Sequence, residues 1–253
     1  ITTIALVLSF ATWFVMSAVV VRLPRIGFQY DTMQLFWLAA IPGLAGGTLR
    51  IVHTFLVPIF GTRLVVTVAT LLKLIPCVGI GLAVMNPETP FWVFLLLAFS
   101  AGFGGGDFSS FMPSTSLFFP KRLQGTALGV QAGIGNFGVS LTQFVTPWII
   151  GFAAFGALAG GPQTFRAGEV SKPMWAQNAT LWYVPVLLVI ALLAWVLLRS
   201  VPIRASVKEQ MDIFRDKHTW LMTSLYVMTF GSFSGLSAVF PLLIMSRYGD
   251  FPN

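Results

Sequence analysis

Hydrophobic residues in this chain come in long unbroken blocks rather than in the core-and-surface alternation of a water-soluble domain. A helix rises about 1.5 Å per residue, so about 20 apolar residues match the roughly 30 Å hydrocarbon core of a bilayer. On that measure the pattern predicts membrane helices over Ile1–Leu23, Met33–Phe60, Leu64–Met85, Phe91–Phe118, Gly125–Phe152, Leu181–Leu198 and Trp220–Met245. The breaks carry turn chemistry: Leu23-Pro24, Gly61-Thr62-Arg63, Asn86-Pro87-Glu88-Thr89-Pro90 and Phe119-Pro120-Lys121-Arg122. Two gaps are longer, 157–180 and 199–219, and the second is charged and amphipathic.

Composition agrees with the pattern. The chain is 56% hydrophobic and 9% charged, with a mean hydropathy of +0.84, whereas soluble domains carry about 25% charged residues. The net charge of +7 does not point to nucleic acid, because the basic residues lie scattered in short loops without interleaved aromatics. The single cysteine, Cys77, sits inside an apolar block, which excludes a disulfide framework or a cysteine metal site. No metal and no cofactor are expected, and the lipid bilayer is the expected surrounding. Three isolated intramembrane charges do not make an enzyme's cluster of His, Cys or carboxylates.

Charge placement orients the bundle. Arg63, Lys121, Arg122, Arg199, Arg204, Lys208, Arg215 and Lys217 fall on one side; Arg22, Arg25, Arg166, Lys172 and Arg247 fall on the other. The richer side is assigned to the cytoplasm. The chain opens inside an apolar run and stops soon after another, so both ends read as cut. The expected plan is an N-terminal six-helix bundle (1–198), a cytoplasmic linker (199–219) and the first helix of a second bundle (220–253). Transporters of twelve helices are built from two such halves with the substrate site between them.

Arg50, Lys73 and Asp107 are the charges inside the spans. A charge at that depth costs a few kcal/mol at least (about 3 by insertion scales) unless it meets a partner or a polar cavity. Arg50 follows Gly46-Gly47-Thr48-Leu49, and its planar fork of donors suits a flat oxyanion. For Asp107 two readings stand: a neutralising ion pair with Lys73, or a carboxylate that exchanges a proton during transport. His53, one turn beyond Arg50, reads as a hydrogen-bonded structural histidine. Glycines crowd two spans, with Gly102, Gly104, Gly105 and Gly106 in the fourth and Gly125, Gly129, Gly133, Gly135 and Gly138 in the fifth. Several fall four apart and predict close backbone packing. Gln131, Asn136, Ser140 and Gln143 share the fifth span and call for a hydrated or ligand-filled cavity.

The stretch Phe103-Gly104-Gly105-Gly106-Asp107-Phe108-Ser109-Ser110-Phe111-Met112 resembles the glycine-rich segment of the nitrate/nitrite porters of the major facilitator superfamily, the NarK-like group. Phe118-Phe119-Pro120-Lys121-Arg122-Leu123-Gln124-Gly125-Thr126-Ala127-Leu128-Gly129 does so too, and Gly133-Ile134-Gly135-Asn136-Phe137-Gly138-Val139-Ser140 looks like that group's nitrate signature. Gly61-Thr62-Arg63 resembles a worn form of the superfamily's cytoplasmic motif. The resemblance covers essentially the whole chain. It implies the major facilitator fold, all-α and polytopic, in a bacterial inner membrane. It implies that Arg50 grips the anion, that Phe108, Tyr226 and Phe230 sandwich it, and that Asn136 faces it. A second arginine is expected from an eighth helix. Implied partners are nitrate and nitrite, with protons in one of two coupling modes, nitrate/nitrite antiport or nitrate/proton symport. Transport or passive conduction of another small anion is the alternative. The implied working unit is a monomer completed by its second half. Asp107 stands where the group commonly has asparagine, and Lys73 where it has an apolar residue.

Overall fold

The computed structural model describes residues 1–167, 170–201, 209 and 211–248. Helix α1 (Thr2–Val20) is about 28 Å long at 1.5 Å per residue and is buried along almost all of it. It is apolar all round, as a helix at the centre of a membrane bundle must be.

Helix α2 (Thr32–Leu72) begins at a reciprocal cap: the Gln34 N–H donates to Asp31 Oδ1 at 2.7 Å, and the Asp31 N–H donates to Gln34 Oε1 at 3.0 Å. Gly61 leaves the helical region (φ 77, ψ 161) and divides α2 into two arms. Any side chain there would meet the left-handed backbone and also Ser200, whose Oγ would lie 2.6 Å from an added Cβ. The second arm continues through Lys73 into α3 (Leu74–Ala83). The two spans expected at 33–60 and 64–85 are thus present as two helical arms that meet at the Gly61 kink rather than at a loop, within Thr32–Ala83.

The fourth span consists of α4 (Phe91–Ala101), α5 (Phe103–Gly106) and α6 (Phe108–Ser116), jointed at Gly102 and Asp107. Helix α7 (Lys121–Ile149) follows Pro120 and packs along α1. The sixth span is α8 (Asn178–Leu181) with α9 (Tyr183–Leu197). Helix α10 (Lys217–Tyr248) starts ahead of the expected Trp220 and touches α1 and α2 while leaving most of its surface uncovered.

Among the described residues five helical stretches are long and apolar enough to cross a membrane: Thr2–Val20, Thr32–Ala83 with its two arms, Phe91–Ser116, Asn178–Leu197 and Lys217–Tyr248. Helix α7 is long enough, but its glycines and amides make it less apolar.

One departure from the all-helical expectation lies in the gap at 157–180. Strand β1 (Gln163–Ala167) pairs antiparallel with β2 (Val170–Met174), Phe165 standing opposite Lys172. The start of the hairpin is tied to the segment that follows its end. Gln163 Nε2 donates to Gln177 Oε1 at 2.9 Å, and the Ala176 N–H donates to Gln163 Oε1 at 2.9 Å. The same end of the bundle holds the 24–30 turn and the 84–90 turn, joined by the Tyr30 hydroxyl donating to the Thr89 carbonyl at 2.5 Å. At the opposite end the Arg63 N–H donates to Ser200 Oγ at 3.2 Å and Arg63 Nε to the Leu198 carbonyl at 2.9 Å. In the expected linker a 3₁₀ turn spans Asp212–Arg215; 202–208 and 210 lie outside the described residues.

Candidate functional site

Arg50 projects from the first arm of α2 toward the joint between α5 and α10. Its Nε donates to the Gly105 carbonyl at 3.0 Å, and Nη1 donates to the Tyr226 hydroxyl at 3.1 Å. Four rings surround the guanidinium carbon, at 4.6 Å for Phe230, 5.1 Å for Phe108, 5.7 Å for Trp13 and 5.9 Å for Tyr226. The Tyr226 and Phe230 rings stack at 5.1 Å and 6°, and both stack on Phe108. Ring faces are electron-rich and steady a cation in a dry setting. They do not accept the remaining hydrogen bonds, and Arg50 Nη2 is buried without a partner. A buried unpaired donor is costly, on the order of 1–3 kcal/mol. A cavity of about 360 Å³ opens beside it, walled by Trp13, Phe14, Ser17, Arg50, Phe230 and Ser234 among others. Its surface is mostly apolar, and Arg50 is the charged group on it.

Glycine makes this approach possible. The indole of Trp13 lies between α2 and α5; a Cβ on Gly46 would come within 2.8 Å of it and one on Gly105 within 2.6 Å. Trp13 Nε1 donates to the Pro42 carbonyl at 2.7 Å, which ties α1 to the first arm of α2. Gly102 and Gly104 press on Ala45, Gly46 and the Ser9 backbone, and Gly106 presses on His53. In α7 the glycines divide by face. Gly135 meets Leu6 and Gly138 meets the Val7 carbonyl, while Gly125, Gly129 and Gly133 have nothing within 4 Å. Gly129 and Gly133 therefore pack no helix here, contrary to the expectation that grouped them with the others.

Lys73 and Asp107 form a fully buried ion pair between Lys73 Nζ and Asp107 Oδ2. Lys73 also donates to the Ala69 carbonyl at 2.9 Å, and Ser9 Oγ donates to Asp107 Oδ2 at 2.6 Å. His53 Nδ1 lies 3.0 Å from Ser110 Oγ and 3.7 Å from Asp107 Oδ1. The pair sits two residues along the chain from Gly105, whose carbonyl holds Arg50.

Arg50, Phe108, Tyr226 and Phe230 are thus brought together in one cluster, of which Arg50 and Phe230 also line the cavity. Asn136 is placed differently: its Nδ2 donates to the Ala132 carbonyl of its own helix at 2.8 Å, and its Oδ1 is buried without a partner. Sequence reasoning missed Trp13 and Ser9. Ser9 is one of five hydroxyl residues in α1, with Thr2, Thr3, Thr12 and Ser17, and Trp13 is its one indole, so neither stands out from packing residues in sequence. Among the described residues no group of three or more His, Cys, Asp or Glu is arranged to hold a metal.

No family model matches the chain. Over 252 residues it is 71% identical to the probable nitrate/nitrite antiporter NarK2 of Thermus thermophilus, covering 99% of this chain and 57% of that protein. It is 42% identical over 248 residues to the nitrate/nitrite transporter NarU of Escherichia coli, covering 97% of this chain and 53% of that protein. The nitrite extrusion protein of Bacillus subtilis is 27% identical over 255 residues. The chain spans about half the length of the curated relatives it matches. A polytopic helical bundle with this likeness along nearly its whole length belongs to the NarK-like family of the major facilitator superfamily.

Proposed function

We propose that the whole protein carries nitrate and nitrite across a bacterial cell membrane by alternating access, with Arg50 as the anion contact of this half. The observation that carries the reading is the Arg50 guanidinium: boxed by four aromatic rings, beside a cavity, with Nη2 buried and unpaired. A small planar oxyanion in that cavity accepts from Nη1 and Nη2 in a charge-assisted fork. The stacked Phe108 and Phe230 rings restrict it to a flat slot. Residues 1–198 serve as the first six-helix half, 199–219 as the cytoplasmic linker, and α10 as the first helix of the second half, supplying Tyr226 and Phe230. Rocking of the halves about this shared site exposes it to either side in turn. The names of the relatives support the choice of substrate.

Exchange of nitrate for nitrite is the favoured coupling, because Asp107 is occupied by Lys73 and Ser9 rather than standing open in the path. Nitrate/proton symport is the second reading; Asp107 Oδ1, buried without a hydrogen-bond partner near His53, is what favours it. The deciding experiment is nitrate uptake by proteoliposomes of the full-length protein, with internal nitrite and the proton gradient varied independently. Uptake that needs internal nitrite and ignores the gradient supports exchange. Uptake driven by the gradient alone, and abolished in Asp107→Asn, selects symport. No nitrate movement under either condition sinks the anion reading of Arg50.

A further inference from the structure

Two cavities lie in succession along the groove between α1 and α10. The inner one meets Arg50, with Trp13 and Ser17 on one wall and Phe230 and Ala238 on the other. The outer one, about 390 Å³, lies farther along both helices, between Val21–Arg22 and Pro241–Ile244, and the hairpin closes its third side. From Trp13 to Arg22 the chain advances about 13 Å at 1.5 Å per residue.

The outer cavity gathers Arg22, Arg25 and Lys172, and among the described residues no acidic one lines it. The Arg25 guanidinium and Lys172 Nζ stand 5.5 Å and 5.4 Å from the centre of the same ring, Phe165. Arg22 Nη1 donates to the Ala18 carbonyl at the end of α1. Burial, with the Arg25 charge beside it, pulls the Arg22 pKa down to about 10, which leaves it a cation at neutral pH. Among the described residues none of the three forms a salt bridge. Three like charges in a half-enclosed recess repel one another, and an anion between them would relieve that repulsion. A recess lined by one sign of charge with apolar walls also focuses the field and concentrates counter-ions.

We infer that this recess is a second anion site, an outer station that collects the small monovalent oxyanion before it reaches Arg50. The inference rests on the anion reading of Arg50. The phosphate of an anionic lipid headgroup offers the same chemistry, so the test must separate the two sources.

The test uses the full-length protein in oriented proteoliposomes, comparing wild type with Arg22→Gln, Lys172→Gln and the double variant. Initial rates of labelled nitrate uptake are read from each face, over a range of ionic strength, in phosphatidylcholine vesicles with and without phosphatidylglycerol. The double variant is expected to raise KM for entry from the hairpin face by roughly tenfold and to flatten its salt dependence. KM from the opposite face and the maximal rate stay unchanged, and the shift is the same in both lipids. Lys172→Gln, on an exposed strand position, gives a smaller shift of the same kind and keeps the test open if Arg22→Gln folds poorly. An unchanged KM at the hairpin face in a transporting protein overturns the inference. So does an equal shift at both faces, which marks general damage, or a shift confined to vesicles with phosphatidylglycerol, which marks a lipid site. A wild type that moves no nitrate overturns the reading of Arg50 itself, and this inference with it.

Discussion

Arg50 and Lys73 both stand inside the spans, and their surroundings differ in kind. Lys73 is wholly enclosed; its ammonium donates to a carbonyl and a carboxylate and lies 5.5 Å over the Phe111 ring. Arg50 meets a carbonyl, a hydroxyl and four rings, and keeps one nitrogen unpaired beside a cavity. The Lys73 charge is balanced by a carboxylate of the protein and belongs to the scaffold. Among the described residues the Arg50 charge has no acidic partner, which leaves it able to take an anion. The two are coupled through α5: Asp107 anchors the joint below it to Lys73 and Ser9, and Gly105 in α5 turns its carbonyl to Arg50.

That contrast is tested most severely at the pair. Lys73→Met leaves Asp107 buried without its counter-charge and is expected to destabilise by about 3–5 kcal/mol. Lys73→Met with Asp107→Leu should recover most of this, as read by thermal unfolding in detergent. A double variant as unstable as the single one would show that the pair does more than neutralise. Arg50→Lys is expected to leave the unfolding temperature near wild type while nitrate transport falls about thirtyfold, from roughly 2 kcal/mol of lost forked hydrogen bonding. Unchanged transport would remove Arg50 from the site. Phe230→Leu, which takes away the ring nearest the guanidinium, should raise KM about fivefold, or roughly 1 kcal/mol; the maximal rate is the control. The smallest effect is expected at Gly129, which faces open space: Gly129→Ala should shift stability by no more than about 1 kcal/mol, toward the stable side. The same change at Gly138, where the new Cβ would lie 2.1 Å from the Val7 carbonyl, should be clearly destabilising.

The helical spans, their turns and the buried charges were legible because each depends on local sequence. Blocks of apolar residues fix where a chain crosses a membrane, and proline and glycine fix where it turns. The bend at Gly61 replaced a loop only because a left-handed glycine joins two helices without unwinding either. The hairpin at 163–174 escaped notice because what holds it lies outside it: Gln177 just beyond its end, and Arg25 from the turn after α1. The glycines of α7 were alike in spacing yet split by face, and spacing alone does not say which face meets α1.

What the sequence determined by itself was the class of molecule and the few residues too polar for their position: Arg50, Lys73, Asp107 and Asn136. Burial of polar groups is costly wherever it occurs, so their oddity shows in one dimension. Which of them are satisfied was decided only in three dimensions, because the partners come from elsewhere in the chain. Asp107 is reached from α1 by Ser9 and from beyond α2 by Lys73, and Arg50 is boxed by rings from α1, α6 and α10. Hydrogen bonds and ring contacts act over a few ångströms, and only the packing of distant helices brings these groups within that range.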